Sequence, residues 1–270
     1  MKQIIKYPRT PHLRGSALQT GDNPDQISME TLKGKGNFVI EEKVDGANAG
    51  ISFDPDDRSL VLQSRGHSLD GGSRERQFNV LKKWGHTFER DLRDALSTRY
   101  VLYAEWLAAK HSISYDNLPS FLLTYDLWDR ERNIFLSTPA RARVLDGLPI
   151  TPVHVVHEGW VSDREIPKLV RPSVYKTSEW RENLIKAAQA AGQDPAKVMA
   201  ETDMTDLSEG IYGKLEQGDA TIGRFKFVRG GFLQTILDSG THWASRPIIP
   251  NMLAPGVDMF AHPSMSQAGP

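Results

Sequence analysis

The chain has 270 residues, 39% of them hydrophobic and 25% charged, with 33 Lys and Arg against 34 Asp and Glu. That length can bury a sizeable core, and a net charge of −1 argues against a protein that coats nucleic acid through bulk positive charge, though a local basic cleft stays open. There is no cysteine, so disulfides, thiolate metal sites and thiol nucleophiles are excluded, which suits a reducing cytoplasm. No apolar run approaches the ~20 residues that span a bilayer, and the first residues hold too short an apolar patch for a signal peptide. The expectation is a soluble, cytoplasmic protein with no membrane partner.

In chain order, strand-like runs rich in Val, Ile, Leu, Phe and Tyr fall at residues 38–43, 49–53, 60–64, 100–106, 121–128, 210–216 and 224–228. Helical spacing of Phe78, Leu81, Phe88, Leu92 and Leu96 predicts a helix over 74–96 with a break at Gly85. Ser137-Thr138-Pro139 starts a second helix, with a hydroxyl cap and Pro in the first turn. A third covers 178–191 and stops at Gly192, and Asp194-Pro195 caps and opens a fourth. Strands come before and after the helices without regular βαβ alternation, an α+β pattern of largely antiparallel sheets with helices outside. Residues 246–270 carry five prolines and read as an irregular C-terminal arm after a domain over 1–245.

Several segments place a charged or aromatic residue within or beside an apolar strand, where it needs a partner or a ligand. VIEEKVDGANAGI sets Lys43 at the end of a strand, immediately before an Asp45-Gly46 turn. A nucleophilic amine needs such a fixed position, and an exposed hairpin lysine fits the segment equally well. LYAEWLA holds Glu105, which could face a sugar or a metal, or solvent. FLLTYDLWD ends in Tyr125 and Asp126, and the tyrosine could stack on a base or fill the core. In SEGIYGKLE, Glu209 and Lys214 bracket two glycines, which permit close backbone approach. In GRFKFVRGG, Arg224 and Lys226 share one strand face, which suits a phosphate clamp or a solvated edge. SRGHSLDGG adds Arg65 in a glycine-rich loop.

Taken in order, KVDGAN, SRG, YAEW, LLTYDLWD, EGIYGKLE and RFKFVR resemble the motifs of covalent nucleotidyltransferases. The resemblance is to the ATP-dependent RNA ligases, in the branch that holds RNA-editing ligases and the phage ligase that seals nicked duplex RNA. It implies a nucleotidyltransferase (adenylation) domain of two twisted, largely antiparallel sheets with peripheral helices and no OB domain. It implies that Lys43 attacks the ATP α-phosphate to form lysyl-AMP, from which AMP passes to an RNA 5′-phosphate before a 3′-hydroxyl displaces it. Glu209, Lys226 and Arg224 would join Lys43 in catalysis, with Lys226 neutralising the α-phosphate. Glu42, Asn48, Arg65, Glu105, Tyr125 and Lys214 would bind the nucleotide, Tyr125 by stacking on adenine. Glu105 and Glu209 would hold Mg²⁺ or Mn²⁺. Lys226, Arg224 and the metal would keep the Lys43 amine uncharged.

The partners implied are RNA with 5′-phosphate and 3′-hydroxyl ends, and a separate kinase or phosphatase that heals ends for repair. The chain departs from the family's Lys-x-Lys in its last motif, where it has Arg224-Phe225-Lys226. A DNA ligase, an RNA guanylyltransferase or a non-catalytic nucleotide- or RNA-binding relative are the alternatives. Residues 241–260 would either grip nucleic acid or cap the sheet.

Overall fold

The computed structural model describes residues 3–19, 21–238 and 246–262. Alternation of apolar and polar residues builds one mixed sheet with two functionally different faces. The strands are β1 (His12–Leu13), β2 (Gln26–Ile27), β3 (Asn37–Lys43), β4 (Ala47–Phe53), β5 (Leu60–Ser64) and β6 (Tyr100–Trp106). They continue with β7 (Leu122–Asp129), β8 (Ile134–Leu136), β9 (Thr151–Pro152), β10 (Val155–Glu158), β11 (Gly210–Gln217) and β12 (Ala220–Val228). The α-helices are α1 (Asn79–Thr87), α2 (Glu89–Leu96), α3 (Thr138–Val144), α4 (Trp180–Ala190), α5 (Pro195–Ala200) and α6 (Gly230–Asp238).

The main path through the sheet runs β10-β3-β11-β12-β8-β7-β6-β4-β5, and every neighbouring pair on it is antiparallel. Two sheets were expected, and the structure joins them into one. Short β8 links the halves, pairing Leu136 and Phe135 with Ala220 and Thr221 of β12, and Phe135 and Ile134 with Trp128 and Asp129 of β7.

Each half turns one face to a hydrophobic core. Phe38, Ile40, Ile211, Leu215, Phe225 and Phe227 pack together behind the first half. Ala49, Ile51, Phe53, Leu102, Ala104 and Trp106 pack behind the second, under α1 and α2 through Leu81, Trp84 and Leu92. The opposite faces carry the polar alternates: Glu41, Lys43, Tyr212, Lys214, Arg224 and Lys226 on one half, and Asn48, Tyr103, Glu105 and Asp126 on the other. The turn Val44-Asp45-Gly46 carries the chain from β3 directly into β4 and so from one half to the other. Residues at this crossing therefore sit where the two polar faces approach.

Two helix boundaries differ from those expected. The first long helix breaks at Phe88, between α1 and α2, and residues 73–78 form a 3₁₀ turn. Ser137 makes no side-chain cap for α3; Glu216 Oε1 instead accepts from the Thr138 amide at 2.7 Å and from its hydroxyl at 2.7 Å. Asp194 caps α5 as expected, accepting from the Ala196 amide at 3.0 Å.

Of the C-terminal arm, residues 246–262 are described and lie against the same core. Asn251 Oδ1 accepts from the Tyr115 amide at 3.0 Å, and the Trp84 indole donates to the Met259 carbonyl at 3.1 Å. Residues 241–245 and 263–270 lie outside the described residues. No helix among the described residues is long and apolar enough to cross a membrane.

Candidate active site

The 43–46 turn is fixed from three directions. Asp45 Oδ2 accepts from the Ser112 and Ile113 amides at 2.7 and 2.8 Å, and the Asp45 amide donates to Tyr115 Oη at 2.8 Å. The Gly46 amide donates to Glu105 Oε1 at 3.1 Å. A Cβ on Gly46 would fall 2.6 Å from the Trp106 carbonyl oxygen, so the turn needs glycine for close approach. Gly210 likewise lies where a Cβ would meet the Phe227 carbonyl oxygen at 1.8 Å. This lets β11 enter the sheet beside β12 with Glu209 at its head.

Lys43 Nζ donates to Glu209 Oε2 at 2.8 Å, with the lysine side chain 25% and the glutamate side chain 10% exposed. Burial disfavours the Lys43 ammonium, yet Glu209 and Glu105 outweigh it and raise the pKa above its ordinary value. The expected uncharged amine is therefore not the resting state of the unliganded chain. Burial also raises both carboxyls: Glu209 upward against the pull of Lys43, and Glu105 to about 8 with Glu209 and Asp45 as like-charged neighbours. Burial and the nearby Lys43 charge lower the Lys226 pKa. The crossing thus gathers Lys43, Glu209, Glu105 and Lys226, with exposed Arg65 within electrostatic reach of Lys226.

Tyr125 and Asn48 flank this group. In the β6–β7 ladder Tyr103 pairs with Asp126 and Ala104 with Thr124, which leaves Tyr125 as the bulged residue. The Asn48 amide donates to Tyr125 Oη, while the buried Asn48 Oδ1 has no hydrogen-bond partner. The Tyr125 ring meets Tyr7 edge-on at 5.3 Å and Tyr212 at 5.7 Å.

Three residues named from the sequence are placed elsewhere. Glu42 alternates to the opposite face of β3, where burial raises its pKa to about 7 and Oε2 accepts from the Val174 amide at 3.4 Å. Lys214 is 1% exposed and bonds Glu41 Oε1 at 2.8 Å, while Arg141 donates to the same oxygen at 3.1 Å. Arg224 lies 3.8 Å from Asp126 and stacks over Phe135 at 3.9 Å and Tyr7 at 5.0 Å. Lys214 and Arg224 thus tie the two half-sheets together, with Asp126 also accepting from Tyr7 and Tyr212.

Sequence reasoning missed Tyr7, His12 and Asp22. All three lie in an N-terminal segment with no strand or helix periodicity, and only the fold brings them to the cleft. A separate cavity of about 670 Å³, between α3, β9 and β10, contains none of the residues proposed for the site.

Among the described residues no group of three His, Cys, Asp or Glu side chains could hold a metal unaided. Glu105, half-buried, and Glu209, buried, are both pushed toward protonation and fit a divalent ion that also takes oxygens from a bound phosphate.

The fold is that of an RNA ligase nucleotidyltransferase domain. The RNA ligase family profile matches residues 36–228, and the chain belongs to that family. A search of curated proteins finds no match. Among solved structures, a Naegleria gruberi RNA ligase mutant with ATP and Mn is similar at 14% identity and TM-score 0.52, covering 85% of this chain and 62% of that one. A second mutant of the Naegleria ligase, in its apo form, matches at 15% identity and TM-score 0.51, covering 84% of this chain and 61% of that one. The chain thus spans about three fifths of the length of these Naegleria proteins.

Proposed function

We propose that this chain is an ATP-dependent RNA ligase in which Lys43 is the nucleophile. The observation that carries the reading is the Lys43–Glu209 pair at 2.8 Å, set at the crossing of the two half-sheets beside Glu105 and Lys226. A half-buried lysine with its own carboxylate, next to a second cation, is suited to phosphoryl chemistry rather than to surface solubility.

The first step needs the neutral amine. Glu209 holds the Lys43 ammonium and is positioned to take its proton, and burial makes it a stronger base than an exposed glutamate. Nζ then bonds the ATP α-phosphorus as the bond to the pyrophosphate oxygen breaks, and Lys226 faces the charge that develops. Asn48 and Tyr125 would contact the nucleoside, the free Asn48 Oδ1 accepting a hydrogen bond. A divalent ion, Mg²⁺ or Mn²⁺, would be held by Glu105 and Glu209 and would supply charge neutralisation at the phosphates. The AMP then passes to an RNA 5′-phosphate, and a 3′-hydroxyl displaces it to form the phosphodiester.

Residues 1–245 would form the adenylation domain, with the arm from 246 packed on it. RNA repair in the cytoplasm, with a separate enzyme preparing the ends, is the setting this chemistry suits. The test is end joining: purified protein with ATP and Mg²⁺ should seal a 5′-phosphate to a 3′-hydroxyl in RNA. Sealing of DNA alone, or an adduct formed from GTP rather than ATP, would assign a different nucleotidyl transfer.

A further inference from the structure

Five elements surround the Lys226 ammonium. β1 places His12 beside it as its parallel register partner, and β11 places Tyr212 opposite. Lys43 at the end of β3, Glu209 at the head of β11 and Arg65 after β5 act on it electrostatically. The loop between β1 and β2 brings Asp22 Oδ1 to 4.0 Å from its Nζ.

Asp22 is itself held. Its Oδ2 accepts from the Gln19 amide at 2.9 Å and lies 3.2 Å from His12 Nε2. His12 is 3% exposed, and its Nδ1 meets Ser16 Oγ at 2.6 Å. Ser16 Oγ accepts from the Val228 amide at 2.9 Å, and its hydroxyl proton has His12 Nδ1 at 2.6 Å as its nearer acceptor and the Ala17 carbonyl at 3.4 Å as the weaker one. With Nδ1 taking the serine proton, the ring carries its own proton on Nε2, which lies 3.2 Å from Asp22 Oδ2 without hydrogen-bond alignment. Burial and Lys226 lower the His12 pKa, in keeping with a neutral ring. A chain of polar contacts thus runs from the backbone of β12 through Ser16, His12 and Asp22 back to a side chain of β12.

We propose that Asp22, oriented by His12, is the resting counter-ion of Lys226, which gives it up when the nucleotide's phosphates arrive. Its place at 4.0 Å, beyond direct hydrogen bonding, suits a partner that a polyphosphate displaces. Before that, the carboxylate keeps Lys226 charged against burial and the repulsion of Lys43. His12 and Asp22 are positioning residues that act through Lys226, and the inference rests on the proposed role of Lys226 at the phosphates.

Two readouts test it. The first is a lysine-selective NMR titration of Lys226 in the nucleotide-free protein, which needs no activity. Asp22→Asn should lower the Lys226 pKa by about one unit, the size expected of a partly screened charge at this distance. His12→Ala should act in the same direction, and His12→Gln, which keeps a donor, should restore most of the shift. An unchanged Lys226 pKa in Asp22→Asn overturns the inference.

The second readout is the pH dependence of single-turnover AMP transfer to the protein. At limiting ATP the alkaline limb should move to lower pH in Asp22→Asn, and at saturating ATP it should stay where it is. Equal movement under both conditions overturns the inference, because it would mean a general structural effect. A parent protein that gains no AMP, while Lys226 still responds to Asp22, overturns the proposed function and leaves the counter-ion intact.

Discussion

Lys43 and Glu209 meet at 2.8 Å across the junction of β3 and β11, where Lys43 is the register partner of Gly210. The pair explains how a lysine in a cleft remains charged at rest and still has a proton acceptor within reach. Glu209→Gln removes both functions. Adduct formation should fall on the order of 100-fold, the usual scale for losing one acid–base partner, while ATP binding changes less. Single-turnover rates and equilibrium nucleotide binding, measured side by side, check this.

The raised carboxyls of the site make stability depend on pH. With its folded pKa near 8, Glu105 is protonated in the folded chain at pH 6 and ionised in the unfolded one. The folded state then binds more protons than the unfolded state, so stability is present at low pH and falls as pH rises from about 4.5 through 8. The slope is at most about 1.4 kcal/mol per pH unit for one such group. Urea unfolding of the nucleotide-free chain should give a lower midpoint at pH 8 than at pH 6, and Glu105→Gln should flatten that difference.

Glu41, Lys214 and Arg141 form a charge cluster inside the sheet junction, with side-chain exposures of 3% or less. Removing one partner strands the others without water. Glu41→Ala should therefore destabilise the protein by about 3–5 kcal/mol, far more than a surface pair would. Loss of ligation in Lys214 or Glu41 variants should track loss of fold in circular dichroism rather than loss of a nucleotide contact.

Gly210 sits where a Cβ would overlap the Phe227 carbonyl oxygen. Gly210→Ala should push β11 from β12 at the point that presents Glu209, so adduct formation should drop sharply. The effect on melting temperature should also exceed that of alanine at Gly218, where a Cβ meets nothing within 4 Å, though its positive φ carries its own strain.

Alternation made much of this legible. The runs containing Lys43, Glu105 and Lys226 are strands in the structure, Glu209 directly precedes β11, and the period of two puts Arg224 and Lys226 on one face as read from the sequence. The same rule, applied to adjacent residues, puts Glu42 across the strand from Lys43. What the sequence could not reveal was pairing at long range. Lys214 is claimed by Glu41 on the adjacent strand β3, far away in sequence, and Arg224 by Asp126 of β7, which becomes its neighbour only when β8 joins the halves. Tyr7, His12 and Asp22 lie in a segment whose place is set by the β12 edge, which no local pattern encodes.

Intact-mass spectrometry after incubation with ATP and Mg²⁺ tests the account most directly, on the parent and on a folded Lys43→Ala variant. The parent should gain the mass of one AMP, and peptide mapping should place it on Lys43, while the variant gains nothing. A parent that binds ATP without any mass gain, or an adduct that persists in the variant, would contradict the assignment.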